Sequence, residues 1–256
     1  IFKDLNFTLA SVLMFIVGIT LFSGLALLPP LLQNLMGYPV IFSSIMMAPR
    51  GIATMASMII VGRLTGKVDA RILMLFGIGC MAYSLYDMTH FNLEMDYWPV
   101  VITGCIQGFG MGFLFVPLQT LAFATIAPKF RADATSMFAL VRNMGQGVGI
   151  SLVTAVLSHM MQVNHAEIAE RLTATSQSVA NQIPGLITGN PMIVSIVNGL
   201  VTEQAAMLSY LDDFWLMMLL SLLAMPLILL LRGPKKAERP MTEEEKALER
   251  AHAMSE

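Results

Sequence analysis

The chain has 256 residues, of which 56% are hydrophobic and only 12% charged, with a net charge of −2 and a mean hydropathy of +0.70. Soluble domains carry about 25% charged residues, so a water-soluble globular protein is excluded, and so slight a negative balance offers nothing to a nucleic acid. Apolar runs of about 20 residues recur, each long enough to cross about 30 Å of hydrocarbon as a helix. Backbone groups in lipid must pair internally, so these runs read as helices of an all-α membrane protein. The opening Ile1-Phe2-Lys3 has neither an initiator methionine nor a signal-peptide pattern, as expected of a piece of a longer protein.

Six spans are predicted. The first covers residues 7–28 and is ended by Pro29-Pro30. The second, residues 40–64, is the most informative. Ser43, Met47, Arg50, Thr54 and Ser57 fall at i, i+4, i+7, i+11 and i+14, one continuous stripe on a helix. Pro49 removes a backbone hydrogen bond beside Arg50. A guanidinium at mid-span costs roughly 2.5–3.5 kcal/mol on insertion scales and normally faces protein interior or a water-filled cavity. Arg50 can therefore touch a polar substrate, hold a carboxylate from another helix, or bridge backbone carbonyls between packed helices. With Thr54 and Ser57 it forms the first set of pathway or gating candidates.

The third span covers residues 72–89, with Asp87 at one end. The fourth, residues 99–127, contains the run CIQGFGMGFLFVPLQT. Gly108 and Gly112 are four apart and fit tight helix contact. Gln107 and Gln119 need partners and lie roughly 120° apart around the helix; Gln107 is assigned to the pathway. Pro117 is a hinge or a static bend. The fifth span, residues 134–160, carries Arg142, Gly145, Gln146 and Gly149 on one face. The Gly145–Gly149 pair beside Arg142 suits either an interface that slides during a conformational change or static close packing. Arg142 and Gln146 complete the candidates for the pathway.

Residues 161–206 are expected as an extracytoplasmic loop. In it NHAEIAERL prolongs the fifth span, and residues 191–204 form a separate short external helix, with Ile193, Val197, Leu200 and Val201 on its apolar face. The sixth span, residues 210–231, begins with Asp212 and Asp213, which suit a helix N-terminus and are read as capping or interfacial groups, not proton carriers. Residues 236–256 form a charged cytoplasmic tail, in which Thr242 and Glu245 have capping-box spacing.

Basic residues set the orientation. Lys3, the group Arg63, Lys67 and Arg71, the pair Lys129 and Arg131, and Arg232, Lys235 and Lys236 all fall on one side. Both ends of the chain are thereby placed in the cytoplasm. His90, His159, His165 and His252 are scattered, and Cys80 and Cys105 lack metal-ligand spacing. No metal, cofactor or enzymatic motif is expected. The 22 methionines fill irregular core gaps or line a flexible apolar pocket.

The loop GRLTGKVDAR, with Gly62, Arg63, Gly66, Lys67, Asp69 and Arg71, resembles the loop signature of the major facilitator superfamily as it recurs in the second half of those proteins. Together with GYPVIFSSIMMAPRG, IQGFGMGF and RNMGQGVGIS, the likeness narrows to the fourteen-span drug:proton antiporters of the EmrB/QacA type, over residues 1–235. The resemblance implies the carboxyl-terminal six-helix half of a transporter working by alternating access in an inner membrane. It further implies small amphipathic substrates, often cationic, and export driven by protons in place of a cofactor. The partners it implies are membrane lipid, an amino-terminal half holding the chief proton-coupling acids, a periplasmic adaptor protein and an outer-membrane channel. In that picture a loop glycine lets two helices meet closely while the charges latch their cytoplasmic ends. Two other readings stay open: an exporter of one metabolite (a siderophore, lipid or peptide), or a non-transporting membrane scaffold or sensor.

Overall fold

The computed structural model describes residues 5–124, 126, 128–174 and 191–231. Lys3 and the tail with Thr242 and Glu245 lie outside the described residues, as do Arg232, Lys235 and Lys236. Six long helices are present: α1 (Leu5–Pro30), α2 (Val40–Leu64), α3 (Ala70–Met88), α4 (Trp98–Ala124), α5 (Arg131–Ala174) and α6 (Pro191–Leu230). The described residues contain no strand, so the all-α expectation holds. Pro29 and Pro30 do not stop α1 abruptly; the chain continues through a π-type turn, Leu31–Leu35. A proline cannot donate to the turn before it, and the wider winding keeps the chain helical past that gap.

The turns follow local chemistry. Gly37 and Gly66 have φ of 71° and 92°, the left-handed region that a side chain disfavours. Asp69 caps α3 by accepting from the Arg71 backbone N–H at 3.0 Å. α4 ends at Ala124, three residues short of the expected boundary, and Pro128 opens a short 3-10 turn, Pro128–Phe130, before α5.

α5 runs on to Ala174, as the expected prolongation through NHAEIAERL requires. Residues 191–204 depart from expectation: they are the first part of α6, not a separate external helix. No breaker separates Gln204 from Tyr210, and Ala205, Ala206, Met207 and Leu208 are strong helix formers. Pro191 sits at the first helical position, where its missing N–H costs nothing. At 1.5 Å per residue, α5 and α6 are roughly 60 Å long, about twice a bilayer's hydrocarbon. They run side by side well past the other helices. Asn164 of α5 donates to Ser209 Oγ at 3.0 Å and to Asp212 Oδ2 at 3.2 Å of α6, and His165 pairs with Asn198 at 3.1 Å.

Among the described residues five helices are long and apolar enough to cross a membrane: α1 with its π-type turn, α2, α4, α5 and α6. The third expected span exists as α3, but it does not join those five. Its 19 residues hold Arg71 near one end and Asp87 near the other.

Helix order in space is α2, α4, α3, α6, α5, α1, and α1 also touches α4. The chain thus divides into two triplets, α1–α3 and α4–α6, that exchange their middle helices: α2 lies on α4 and α5 lies on α1. Two apolar clusters fill the bundle. One gathers Phe7, Met14, Met81, Leu114, Phe138 and Ile228. The other, at the end where α5 and α6 project, gathers Leu31, Leu32, Leu85, Phe91, Tyr210 and Phe214.

Candidate functional site

The α2 stripe does not face open space as a unit. Ser43, Arg50 and Ser57 are buried against α4, whose Gly104, Gly108 and Gly112 form the opposing groove. A Cβ on Gly104 would lie 3.7 Å from Arg50 Cβ; on Gly108 it would run into the Arg50 carbonyl oxygen and meet Thr54 Oγ1 at 2.9 Å. On Gly112 it would strike Ser57 Oγ. Small residues here let two backbones approach more closely than any side chain permits.

The hydroxyls of the stripe are occupied. Thr54 donates to the Arg50 carbonyl at 2.9 Å, Ser57 to the Thr54 carbonyl at 2.8 Å and Ser43 to the Pro39 carbonyl at 3.1 Å. Arg50 differs. Its side chain is 7% exposed, and among the described residues neither terminal guanidinium nitrogen has a hydrogen-bond partner. Gln107 is fully buried, and its amide oxygen and nitrogen are likewise unpartnered among those residues. It lies between Gly104 and Gly108 on α4, with its amide nitrogen 3.7 Å from where a Gly24 Cβ of α1 would sit. Arg50, at the α2–α4 seam, and Gln107, beside Gly24 of α1, are therefore two unsatisfied polar groups flanking α4. Each can hydrogen-bond an anionic or polar oxygen. Gln119, the other glutamine of α4, is exposed.

Arg142 occupies the matching place on α5. A Cβ on Gly18 of α1 would lie 2.9 Å from the Arg142 carbonyl oxygen and 3.4 Å from the Gln146 backbone nitrogen. Gly145 and Gly149 press on α1: their Cβ atoms would sit 2.5 Å from the Phe15 carbonyl oxygen and 2.6 Å from Ile19 Cα. Both glycines are in tight contact with α1. Arg142 and Gln146 are half-buried, and Arg142 Nε is buried without a partner among the described residues. The outer face of α5 leaves Ser136, Asn143, Gly147, Ser151, Thr154 and Ser158 exposed, a polar line on a helix otherwise apolar enough for lipid.

The loop signature is built around its turn. Gly62 has open space beyond its Cα, so it does not bring two helices together; Gly66 provides the positive φ instead. Arg63, Lys67 and Asp69 are exposed, and Arg71 is half-buried with Nε unpartnered among the described residues. Asp69 is engaged as a helix cap, and no ion pair joins these charges among the described residues.

A cleft of about 360 Å³ lies between the α3–α4 loop and α6, and one of about 310 Å³ between the end of α3 and the start of α4; neither is lined by Arg50, Gln107 or Arg142. The described residues contain no His, Cys, Asp and Glu group able to hold a metal ion. One residue is placed differently from its sequence reading. Asp213 is not at a helix start; it lies inside α6, fully buried, with both carboxylate oxygens unpartnered among the described residues. Its signal was present as an acid within an apolar stretch, but the supposed helix boundary nearby supplied a bland explanation.

Residues 1–160 match the sequence model of the Major Facilitator Superfamily. The chain belongs to that superfamily. Within it, the chain is similar to the multidrug export protein EmrB of Escherichia coli (strain K12), 27% identical over 220 residues, which are 84% of this chain and 43% of that protein. It is similar also to the fatty acid resistance protein FarB of Neisseria gonorrhoeae, 27% identical over 237 residues, 91% of this chain and 47% of FarB. The probable multidrug resistance protein EmrY of Escherichia coli (strain K12) is 26% identical over 216 residues, 82% of this chain and 42% of EmrY. The chain spans less than half the length of these curated relatives. Major facilitator membership and the run of apolar helices make this a multi-pass membrane protein.

Proposed function

We propose that this chain is the carboxyl-terminal six-helix half of a proton-driven exporter of amphipathic compounds, working by alternating access. The observation that carries the reading is the pair Arg50 and Gln107, each buried beside α4 and each unpartnered among the described residues. An uncompensated guanidinium in an apolar bundle is costly, and a purely static scaffold gains nothing by keeping one. A transport route does, because the cation and the amide are then free to meet a passing group. The names of EmrB and EmrY favour drugs as cargo. FarB favours a second reading, a dedicated exporter of a lipid-like carboxylate, which an arginine beside an amide would suit.

In this proposal the protein lies in the inner membrane with the Gly62–Arg71 loop in the cytoplasm, as the placement of basic residues suggests. The amino-terminal half would close the other side of the route, and a periplasmic adaptor and outer-membrane channel would extend it. The experiment is drug uptake into inverted vesicles holding the full-length protein, with Arg50→Ala and Arg142→Ala. Both variants are expected to insert normally and to lose most proton-driven drug accumulation. Wild-type accumulation in both variants would overturn the reading, and a complete protein without proton-coupled flux would turn it into a scaffold or sensor. Competition between a cationic drug and a long-chain fatty acid in the same vesicles separates the two exporter readings.

A further inference from the structure

We propose that Asp213 is a proton-binding site of this transporter, loaded from the end of the bundle where α5 and α6 project. The inference rests on the proposed proton-driven export and adds the residue within this half that takes up the ion.

The geometry begins with helix continuity. Because α6 starts at Pro191, Asp213 has more than twenty helical residues before it. No free backbone N–H groups and no dipole end are available to stabilise its charge. Its side chain is fully buried, and neither oxygen accepts a hydrogen bond from any described residue. Burying an ionised carboxylate without partners costs far more than burying the neutral acid. The closed packing around Asp213 therefore suits the acid form, and the ionised form needs water or a cation brought to it by movement of the surrounding helices.

No described neighbour supplies that cation. On α6 itself the nearby titratable groups are Tyr210 and Asp212, with Glu203 farther toward the N-terminus. α5 offers His159, which is exposed, and His165, which is bonded to Asn198; Glu167, Glu170 and Arg171 lie farther along it, with Glu167 and Arg171 paired. α3 and its exit carry Asp87, the exposed Tyr83 and Tyr86, and His90, whose ring lies against Tyr86. α1 and its π-type turn, residues 5–35, hold no titratable side chain at all.

A polar line leads toward the site. Asn164 is half-buried and donates to Ser209 Oγ at 3.0 Å. Ser209 is fully buried, and Asp213 follows it by four residues on the same helix face. The amide and hydroxyl thus mark a seam between α5 and α6 from the projecting end inward, and Phe214, next to Asp213 in the chain, belongs to an apolar cluster with Leu31, Leu32 and Phe91. The proposed step is a simple exchange. One proton joins the Asp213 carboxylate from the extracytoplasmic side, and the same O–H bond releases it when helix movement rehydrates the site.

The test uses the full-length transporter in proteoliposomes, as wild type, Asp213→Asn and Asp213→Glu. Infrared difference spectra across a pH step report the carboxyl directly, without requiring transport. A protonated-carboxyl band present in wild type, absent in Asp213→Asn and restored in Asp213→Glu is expected. Accumulation driven by a pH gradient should fall roughly tenfold or more in Asp213→Asn, while gradient-free substrate exchange stays within about twofold. The proposal is overturned by an unchanged band in Asp213→Asn or by unchanged driven accumulation. Equal loss of exchange and driven transport in a folded Asp213→Asn protein overturns it too, because the residue is then structural. A wild type that shows the band but carries no substrate at any gradient would refute the export reading and leave the proton site standing.

Discussion

The two arginine seams are built alike and end differently. In each, an arginine carbonyl lies where a glycine on the facing helix has no Cβ: Arg50 against Gly108 of α4, and Arg142 against Gly18 of α1. These contacts join equivalent helices of the two triplets, the middle helix of one on the first helix of the other. Yet Arg50 is 7% exposed with both terminal nitrogens stranded, whereas Arg142 is half-buried with only Nε stranded among the described residues. The same backbone docking can therefore carry either a buried cation or a half-buried one. What differs is burial: Arg50 is closed in against α4, while α5 leaves a polar outer face exposed.

The largest effects should come from the glycines, because they set backbone distance. Gly108→Ala forces its new methyl onto the Arg50 carbonyl, and Gly149→Ala forces one onto Ile19 Cα of α1. Neither obstacle is a flexible side-chain end, so whole helices must shift. Overpacking of this kind costs about 1–3 kcal/mol or more. Thermal unfolding in detergent should show a marked loss for both. Gly62→Ala, with open space ahead of it, should unfold like wild type. A silent Gly108→Ala would mean that the α2–α4 seam is looser than these distances describe.

The arginines come next, and here the seams should separate. Arg50→Met removes a buried, unpaired charge and keeps an apolar stem of similar length, a change that is often neutral or stabilising. The folded bundle is expected to lose no stability and to gain up to about 1–2 kcal/mol, while proton-driven efflux of the full-length protein collapses. Arg142→Met should move stability by less than about 0.5 kcal/mol, since its side chain is only half-buried. The pair of melting curves checks this. Strong destabilisation by Arg50→Met would show that Arg50 has a partner in the whole transporter and acts as a strut.

How much of this could be read in the chain depends on how far apart the causes lie. Apolar length and glycine spacing are local, so the helices and the Gly108–Gly112 and Gly145–Gly149 contacts could be read from the residues alone. What the glycines meet could not be: the partners of Gly145 and Gly149 are Phe15 and Ile19, more than a hundred residues away. Hydropathy located the apolar part of α6 but not its beginning, because a helix that runs on beyond the apolar stretch leaves no mark in an apolar window. Asp213 was consequently taken for a capping acid. It is fully buried in a bundle whose neighbouring apolar cluster draws on all six helices, and no single segment shows it. The α2 stripe was visible as a periodicity, but its direction was not: its hydroxyls point into glycine grooves and their own helix carbonyls.

The smallest effect sets one serine of each seam against the other. Ser57 Oγ fills the groove at Gly112 and donates to the Thr54 carbonyl at 2.8 Å. Ser23 Oγ lies 2.9 Å from where a Gly149 Cβ would be, is fully buried, and has no partner among the described residues. Ser57→Ala removes a made hydrogen bond and a packed atom, so it should destabilise by about 0.6 kcal/mol, the average for polar contacts within membrane bundles. Ser23→Ala removes an oxygen that is desolvated without recompense, and it should be neutral or stabilising by up to about 1 kcal/mol. Differential unfolding of the two single variants measures the contrast, and the double variant should be additive, because the serines belong to separate seams. Equal destabilisation by both would mean that Ser23 finds an acceptor in the complete protein, and the α1–α5 seam would then be as fully bonded as its counterpart.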